Sequence, residues 1–373
     1  MRQAMLAVVV LSAAVMASGT TAGATMPGGN GRILFTEAPQ YSYGSGSLYA
    51  INPDGSGRVL ITNHGVNGSW SWDGKRVLFE SARKGDLDLW AINADGTGLK
   101  ELTFSVGVDQ DGVWSPDGSE IAFESSRNNP SGMDVFVMSA DGTHQRRLTD
   151  ATGFNGDPTW SPDGKSIAFT STRGGSKDIW VINEDGSGLQ QLTTNQGTEE
   201  NPAWSPDGTR IAYDSDDGDP GNLDIWAMAS NGSGQRRLIA SPALDAVPAW
   251  APGSDQIAFA SERTGKTERK IYVARANGTH VHLLAGPLRR SQVASLPSWG
   301  LHPLGDPCTI EGTIHSEKLV GTSRSDVICG GGGNDTIFAR GGGRDVVNGG
   351  PGRDIAHVDP TDRTIGVEKK LYR

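Results

Sequence analysis

Apolar residues in this chain fall in short alternating runs, and the runs recur. From residue 31 to 300 the same order returns about every 45 residues. One run ends on a tryptophan followed by a tight turn: WSPDG at Trp114, Trp160 and Trp204, WSWDG at Trp70, WAPGS at Trp250, and a last Trp299 before Gly300. A second run follows, such as Ile121-Ala122-Phe123 or Ile167-Ala168-Phe169, and then a third, such as Leu89-Trp90-Ala91-Ile92 or Ile179-Trp180-Val181-Ile182. Asp-Gly or Asn-Gly pairs come next, beginning at Asp54, Asp95, Asp141, Asp185, Asn231 and Asn277. A fourth run then ends in pairs such as Leu102-Thr103, Leu148-Thr149 and Leu192-Thr193. Asp-Gly and Asn-Gly supply the positive φ that hairpin turns require. No helical period of 3.6 appears beyond the N-terminus, so each unit predicts four short strands joined by tight turns.

A four-stranded unit of this length predicts a β-propeller blade, which buries its faces only against neighbouring blades. Six sets of second-to-fourth strands start near Arg32, Arg76, Glu120, Ser166, Arg210 and Gln256. The first set has no Trp-ending strand before it, and one such strand, Leu296 to Gly300, is left over at the end. The predicted fold is therefore all-β, a six-bladed propeller over residues 31–300 whose C-terminal strand completes the N-terminal blade. An open solenoid of β units would not need the displaced strand.

The pattern changes after Pro303. Aspartates recur at Asp326, Asp335, Asp345 and Asp354 in a glycine-rich stretch, each followed two residues later by Ile328, Ile337, Val347 or Ala356. GGGGNDTIF (Gly330 to Phe338) fits G-G-x-G-x-D-x-U-x, as does GGPGRDIAH (Gly349 to His357) with alanine at the apolar position. RGGGRDVVN (Arg340 to Asn348) lacks only the first glycine, and GTSRSDVIC (Gly321 to Cys329) and GTIHSEKLV (Gly312 to Val320) are fainter copies. A flexible glycine linker would not keep the apolar eighth position. Residues 308–358 are expected to form a short parallel β-roll, with 359–373 as a tail or closing strand. At the other end, Arg2, the apolar run Ala4 to Ala17 and the small residues Ala22 and Ala24 predict a secretory signal peptide over 1–24. No later run is long enough for a membrane span.

The Trp-anchored units, exemplified by PTWSPDGKSIAFTSTRGGSKDIWVINEDGSGLQQLT from Pro158 onward, resemble the TolB-type, WD-like propeller repeats of periplasmic and secreted bacterial proteins. That resemblance implies a six-bladed propeller but no single activity, because such repeats serve docking platforms, peptidases and lyases alike. The α/β domain that precedes the TolB propeller has no counterpart here, which puts a Tol–Pal role in doubt. The nonapeptides resemble the calcium-binding repeats of the repeats-in-toxin family. That resemblance assigns Ca²⁺ to turns built from Asp326, Gly330, Gly331, Gly333, Asp335, Gly341, Gly343, Asp345, Gly350, Gly352 and Asp354. Glycine permits the tight turns and aspartate adds hard anionic oxygens.

Composition narrows the partner. The formal charge is −10, and an acidic chain without a basic run excludes nucleic acid. Five residues before successive tryptophans stand Gly65, Asp109, Asn155, Glu199, Asp245 and Ala294. Three before them stand Asn67, Asp111, Asp157, Asn201, Val247 and Leu296. If the Trp-ending strands are innermost, Asp109, Asp111, Asn155, Asp157, Glu199, Asn201 and Asp245 line a channel mouth suited to a cationic peptide, a sugar or a metal ion. Hydrogen bonding within their own loops is the structural alternative for each. The two cysteines, Cys308 and Cys329, are expected to pair in a secreted chain. No G-x-S-x-G elbow occurs, and the seven histidines show no metal-ligand spacing. The reading is a monomeric secreted or cell-envelope binding protein, docking a protein or glycan, with a calcium-binding tail. An extracytoplasmic polysaccharide lyase or hydrolase using the channel is the alternative.

Overall fold

The structure is a computed structural model, and it describes residues 30–39, 44–71, 73–129, 132–150, 153–264, 269–285 and 292–301, with 310–311, 318–321, 327–329, 336–339, 345–348, 355–360, 363–365, 367 and 369–372 beyond them. Within these residues every regular element is a strand. Six antiparallel four-stranded sheets form the blades. Blade three shows the plan: inner strand Asp109–Trp114, then Glu120–Ser125, Asp134–Ser139 and the outer Arg146–Arg147. The other inner strands are Val66–Trp70, Asn155–Trp160, Glu199–Trp204, Asp245–Trp250 and, for blade one, Gln292–Leu301. Neighbouring inner strands touch in cyclic order, which closes the ring.

Closure is as the displaced strand predicts. Gln292–Leu301 pairs antiparallel with Asn30–Pro39, with Leu34 opposite Ser298 and Ile33 opposite Trp299. The first blade thus takes its inner strand from the end of the repeat region.

The tryptophans pack between blades. Trp114 is 1% exposed and joins Leu78, Leu89 and Ala91 of blade two with Ile121 and Phe123 of blade three. Trp250 is buried, and its indole N–H donates to the Ala203 carbonyl of blade five at 3.1 Å. Burying such a ring contributes more than any other side chain in the repeat, on the order of 3 kcal/mol for truncation. The WSPDG turns are closed by the serine and aspartate. Ser115 Oγ donates to Asp117 Oδ1 at 2.7 Å, and the Gly118 N–H donates to the Ser115 carbonyl at 2.9 Å with φ +71° at Gly118.

The C-terminal strands form two parallel sheets. Val327–Cys329 pairs with Val346–Asn348, and Thr336–Phe338 with Ile355–Val358, so alternate nonapeptides stack. The residue two after each aspartate fills the centre: Ile328, Ile337, Val347 and Ala356 are all buried. Pairing continues past the expected roll boundary at 358. Arg363–Ile365 adds to one sheet and Lys369–Tyr372 to the other. These last strands lack the glycine–aspartate spacing, so the sequence pattern gives no sign that they continue the coil. The signal segment 1–24 and Cys308 lie outside the described residues, and the Cys308–Cys329 pairing with them.

Candidate channel site and calcium roll

The seven channel residues are placed by an irregularity that repeats in every inner strand where side chains are described. The pairing register slips between Gln110 and Val113, between Gly156 and Thr159, between Glu200 and Ala203, and between Ala246 and Ala249. Each slip is a β-bulge. The bulged residue is the one three before the tryptophan: Asn67, Asp111, Asp157, Asn201 and Val247 have φ of +53, +51, +51, +53 and +56°. A positive φ is strained for a β-branched valine, so the surroundings must hold it.

They do so with one acceptor from the preceding blade. The bulge N–H of Asn67 donates to Thr36 Oγ1 at 2.9 Å, that of Asp111 to Glu80 Oε1 at 2.8 Å, and that of Asp157 to Glu124 Oε2 at 3.0 Å. The N–H of Asn201 reaches Thr170 Oγ1 at 3.2 Å, and that of Val247 reaches Asp214 Oδ1 at 2.8 Å. Thr36, Glu80, Glu124, Thr170 and Asp214 occupy one equivalent position of the second strand, each directly after the aromatic or, in Thr36, after Phe35. They tie blade to blade around the axis. Sequence reasoning missed them because a single polar residue inside an apolar strand reads as outward-facing; their spacing of 44 or 46 residues was the available signal.

Two of these acceptors are glutamates, which brings acid into the channel. Asp111, Glu124 and Asp157 have carboxylate oxygens all within 4.8 Å of one another. The three are buried. Gly156 makes room, since a Cβ there would overlap Glu124 Oε2. The Gln110 amide donates to Glu124 Oε1 at 2.6 Å and to Asp111 Oδ2 at 3.1 Å. Asp111 Oδ1 and both Asp157 oxygens have no hydrogen-bond partner. Burial pushes the Glu124 carboxyl up to about 8, and the Asp157 carboxylate adds to this. Burial likewise carries Glu80 up to about 7 and Asp157 up to about 6, the latter restrained by the Lys177 ammonium. Asp111 is raised well above the ordinary range by burial and by Glu80, Glu124 and Asp157. Asp214 is raised by burial and by Glu200. Lys177, paired with Glu200, is the cation facing this group; Glu200 and Asp157 outweigh its burial and hold it charged. Such a cluster can hold protons, or it can receive a cationic group or a hard metal ion.

The residues five before the tryptophans head the inner strands. Asp109, Asn155, Glu199 and Asp245 are all fully buried. Asp109, Asn155 and Asp245 each accept from an arginine of their own blade, Arg127, Arg173 and Arg263. The structure therefore divides the seven into a channel set of Asp111, Asp157 and Asn201 and a set of strand heads, all beneath the surface and none on an open rim. What is exposed beside Asp109 is apolar: Phe104 is 72% and Val106 89% exposed in the segment leading into that strand, where Ser105 Oγ donates to Asp109 Oδ2 at 2.9 Å.

In the roll, Asp345 is described and buried immediately before Val346–Asn348. A buried carboxylate at the turn ahead of each short strand is the donor a calcium coil needs. Asp326, Asp335, Asp354 and Gly330, Gly331, Gly333, Gly341, Gly343, Gly350 and Gly352 lie outside the described residues.

Comparison with known proteins agrees with both halves. A model of the TolB beta propeller domain matches residues 40–149, 129–220 and 194–298. A model of the RTX calcium-binding nonapeptide repeat matches residues 311–343 and 320–356, so Ca²⁺ is the ion of these repeats. A search of curated proteins finds no match to this chain. Among solved structures, TolB from Acinetobacter baumannii superposes with a TM-score of 0.61 at 19% identity, covering 72% of this chain and 66% of that one. A TolB candidate from Agrobacterium tumefaciens gives 0.57 at 20% identity over 74% of this chain and 94% of its own. Hydrazine synthase of Kuenenia stuttgartiensis gives 0.62 at 16% identity over 76% and 48%. This chain thus spans just under two thirds of the Acinetobacter protein, and at these identities the likeness is one of fold. Among the described residues no helix is long and apolar enough to cross a membrane.

Proposed function

The chain belongs to the TolB β-propeller family, and on that premise we propose that it is an extracytoplasmic binding or scaffold protein whose propeller docks a protein partner and whose calcium roll is a structural appendage. The observation that carries this is the channel cluster of Asp111, Glu124 and Asp157, buried, close and with unpartnered oxygens. Such a group favours any cation that enters, and an exposed pair leading into the Asp109 strand, Phe104 and Val106, offers the apolar contact that protein interfaces add to charge. A signal segment over 1–24, a propeller over 31–300 and a roll from 308 are the domains this role assumes. Secretion to the periplasm or beyond, and a monomeric state, belong to the same reading.

The test is retention of a partner from envelope and extracellular fractions on immobilised protein in calcium. Asp111→Asn with Asp157→Asn is expected to keep the fold, since asparagine preserves the shape of each side chain and removes a buried charge, and to weaken retention at least tenfold. Retention unchanged in the double variant would remove the channel from the docking role. Turnover of a polysaccharide by the wild-type protein would replace docking with the lyase or hydrolase alternative.

We further infer that Cys308 and Cys329 are joined. Thiol titration of unfolded, unreduced protein is expected to find none, and two after reduction. Closing that 21-residue interval contributes about 3 kcal/mol on the chain-entropy model. Two free thiols in the unreduced protein would overturn it.

A further inference from the structure

Five of the six blades place a guanidinium over the aromatic ring of the second strand. Arg83 lies 5.5 Å from the centroid of Phe79, Arg127 5.4 Å from Phe123, Arg173 5.5 Å from Phe169 and Arg263 5.3 Å from Phe259. Each stands two residues after a strand-ending serine, and its Nε donates to that hydroxyl: Ser81 at 3.0 Å, Ser125 at 2.9 Å, Ser171 and Ser261 at 3.0 Å. The terminal nitrogen then reaches the head of the inner strand, at 2.7 Å for Asp109, 2.9 Å for Asn155 and 2.6 Å for Asp245. In blade two, where Gly65 heads the strand, it reaches the His64 carbonyl at 2.7 Å. Blade one has no arginine at that sequence position and brings one from elsewhere. Arg58 lies 5.0 Å from Phe35 and pairs with Glu37 at 2.6 Å. A ring face, a hydroxyl and an acid together form a seat for a planar cation.

Blade five keeps the seat and lacks the guanidinium. Tyr213 is the ring, Ser215 the serine and Glu199 the strand head, but Asp217 stands where the arginine would be. Among the described residues no cation lies over Tyr213. Ser215 Oγ donates to Glu199 Oε1 at 3.0 Å. Glu199 Oε2 and Tyr213 Oη are buried without a hydrogen-bond partner, in residues 0% exposed. Leaving two buried polar atoms unsatisfied is costly, and a native fold keeps such a pair for a reason. Asp216 does not relieve them, because its two oxygens accept the N–H groups of Thr198 at 2.7 Å and Gly221 at 2.9 Å.

We propose that the blade-five seat receives the guanidinium of an arginine side chain presented by the protein partner. The inference rests on the docking role above and names the group by which the partner is held. In the sister blades the strand-head acid lies equally buried beneath its arginine, with Arg127 and Arg263 remaining 16% and 22% exposed; Glu199 and Tyr213 are 0% exposed without one, so the side chains covering them give way when the guest arginine enters. A metal ion fits less well, since the acid oxygens that converge within 4.8 Å are those of the channel cluster. An ammonium lacks the planar fork that engages ring, hydroxyl and acid together.

The probes are acetyl-Gly-Arg-Gly-amide and its citrulline counterpart, which is neutral and of the same shape, titrated by NMR in calcium at fixed salt. The wild-type protein is expected to bind the arginine peptide at least tenfold more tightly. Glu199→Gln is expected to reduce that preference to less than threefold. Asp217→Arg fills the seat from within the chain, as the sister blades do, and is expected to abolish the preference. Glu184→Arg changes the net charge equally at an exposed outer turn and is expected to keep it. Equal binding of the two peptides by the wild type, or a preference that survives in Asp217→Arg, would overturn the seat. The two readings fail separately. Partner retention that is lost in the channel double variant, with no peptide preference, overturns the seat and leaves the docking role. A peptide preference with no partner retained by the wild type supports the guanidinium seat and overturns the docking role.

Discussion

Chelation of calcium is expected to unfold the C-terminal roll and leave the propeller folded. Apart from the inferred Cys308–Cys329 bond, the roll has little else to hold it. Its interior consists of Ile328, Ile337, Ala339, Val347, Ala356 and Val358, with Leu319 and Val367 packed against them. Its strands are two to four residues long, and short parallel pairs are weak on their own. Asp345, the roll aspartate that is described, is buried ahead of its strand, and a buried carboxylate is costly without a cation beside it. Binding energy of the ion is therefore folding energy for this segment. The propeller shares none of this dependence, because each blade is closed by its neighbours. All ten tryptophans lie at or before Trp299, so intrinsic fluorescence reports the propeller alone. In chelator, limited proteolysis is expected to remove residues beyond about 310 at least tenfold faster than in millimolar calcium, while the tryptophan melt stays within about 2 °C, no more than the shift that about 1 kcal/mol produces in a domain of this size. Equal protease resistance of the tail in both conditions would refute the calcium dependence. A large loss of tryptophan signal on chelation would instead place an essential ion in the propeller.

Much of this architecture is written in local patterns. The Trp-ending runs and Asp-Gly turns specify blades because hairpin geometry and inter-blade packing each demand particular residues at fixed offsets. The orphan strand before Trp299 specifies closure because an unpaired inner strand has one place to go. The roll is legible for the same reason: Ile337 and Val347 must fall two residues after an aspartate to reach the centre of a coil. The bulges are not legible. A φ of +56° at Val247 contradicts its local preference and is held because Asp214 of the preceding blade accepts its N–H, a contact between residues 33 apart. Placing the bulge inside the strand, and not in a loop ahead of it, is what buries Asp111 and Asp157. Glu80 and Glu124 were hidden by the same effect, since each sits in an apolar strand and faces the axis to serve a neighbour. The missing arginine at Asp217 was visible as a sequence difference, but its meaning needed the five seated guanidiniums of the other blades.

The propeller is expected to lose stability as pH rises from about 5 to about 8. The carboxyls responsible are those whose folded-state values lie above the ordinary range: Glu80 and Glu199 about 7, Glu124 about 8, Asp157 and Asp88 about 6, with Asp111, Asp214 and Glu120 also raised. Well below the ordinary Asp and Glu values, under about pH 3, these groups are protonated both folded and unfolded and contribute nothing to the pH slope. Between their unfolded and folded values the native state binds more protons than the unfolded chain, so stability falls with rising pH. Above the folded values the loss is complete. Each pKa unit corresponds to about 1.4 kcal/mol, so Glu124 alone costs on the order of 4 kcal/mol at pH 8 relative to its unstrained ionisation. The turn aspartates act outside this window. Asp95, Asp117 and Asp185 are held below the ordinary range by Ser or Thr hydroxyls and backbone N–H groups, so their contribution is lost only as pH falls below about 4. Urea midpoints followed by tryptophan fluorescence at pH 5, 6, 7 and 8, with calcium held constant, measure the slope. Asp111→Asn removes one of the clustered charges while keeping shape, and is expected to raise stability at pH 8 by about 2 kcal/mol and by less at pH 5. A midpoint that is flat or rising between pH 5 and 8 would mean that the cluster is already neutralised by a resident cation. In that case Asp111→Asn destabilises, because it takes away a ligand and not a repulsion.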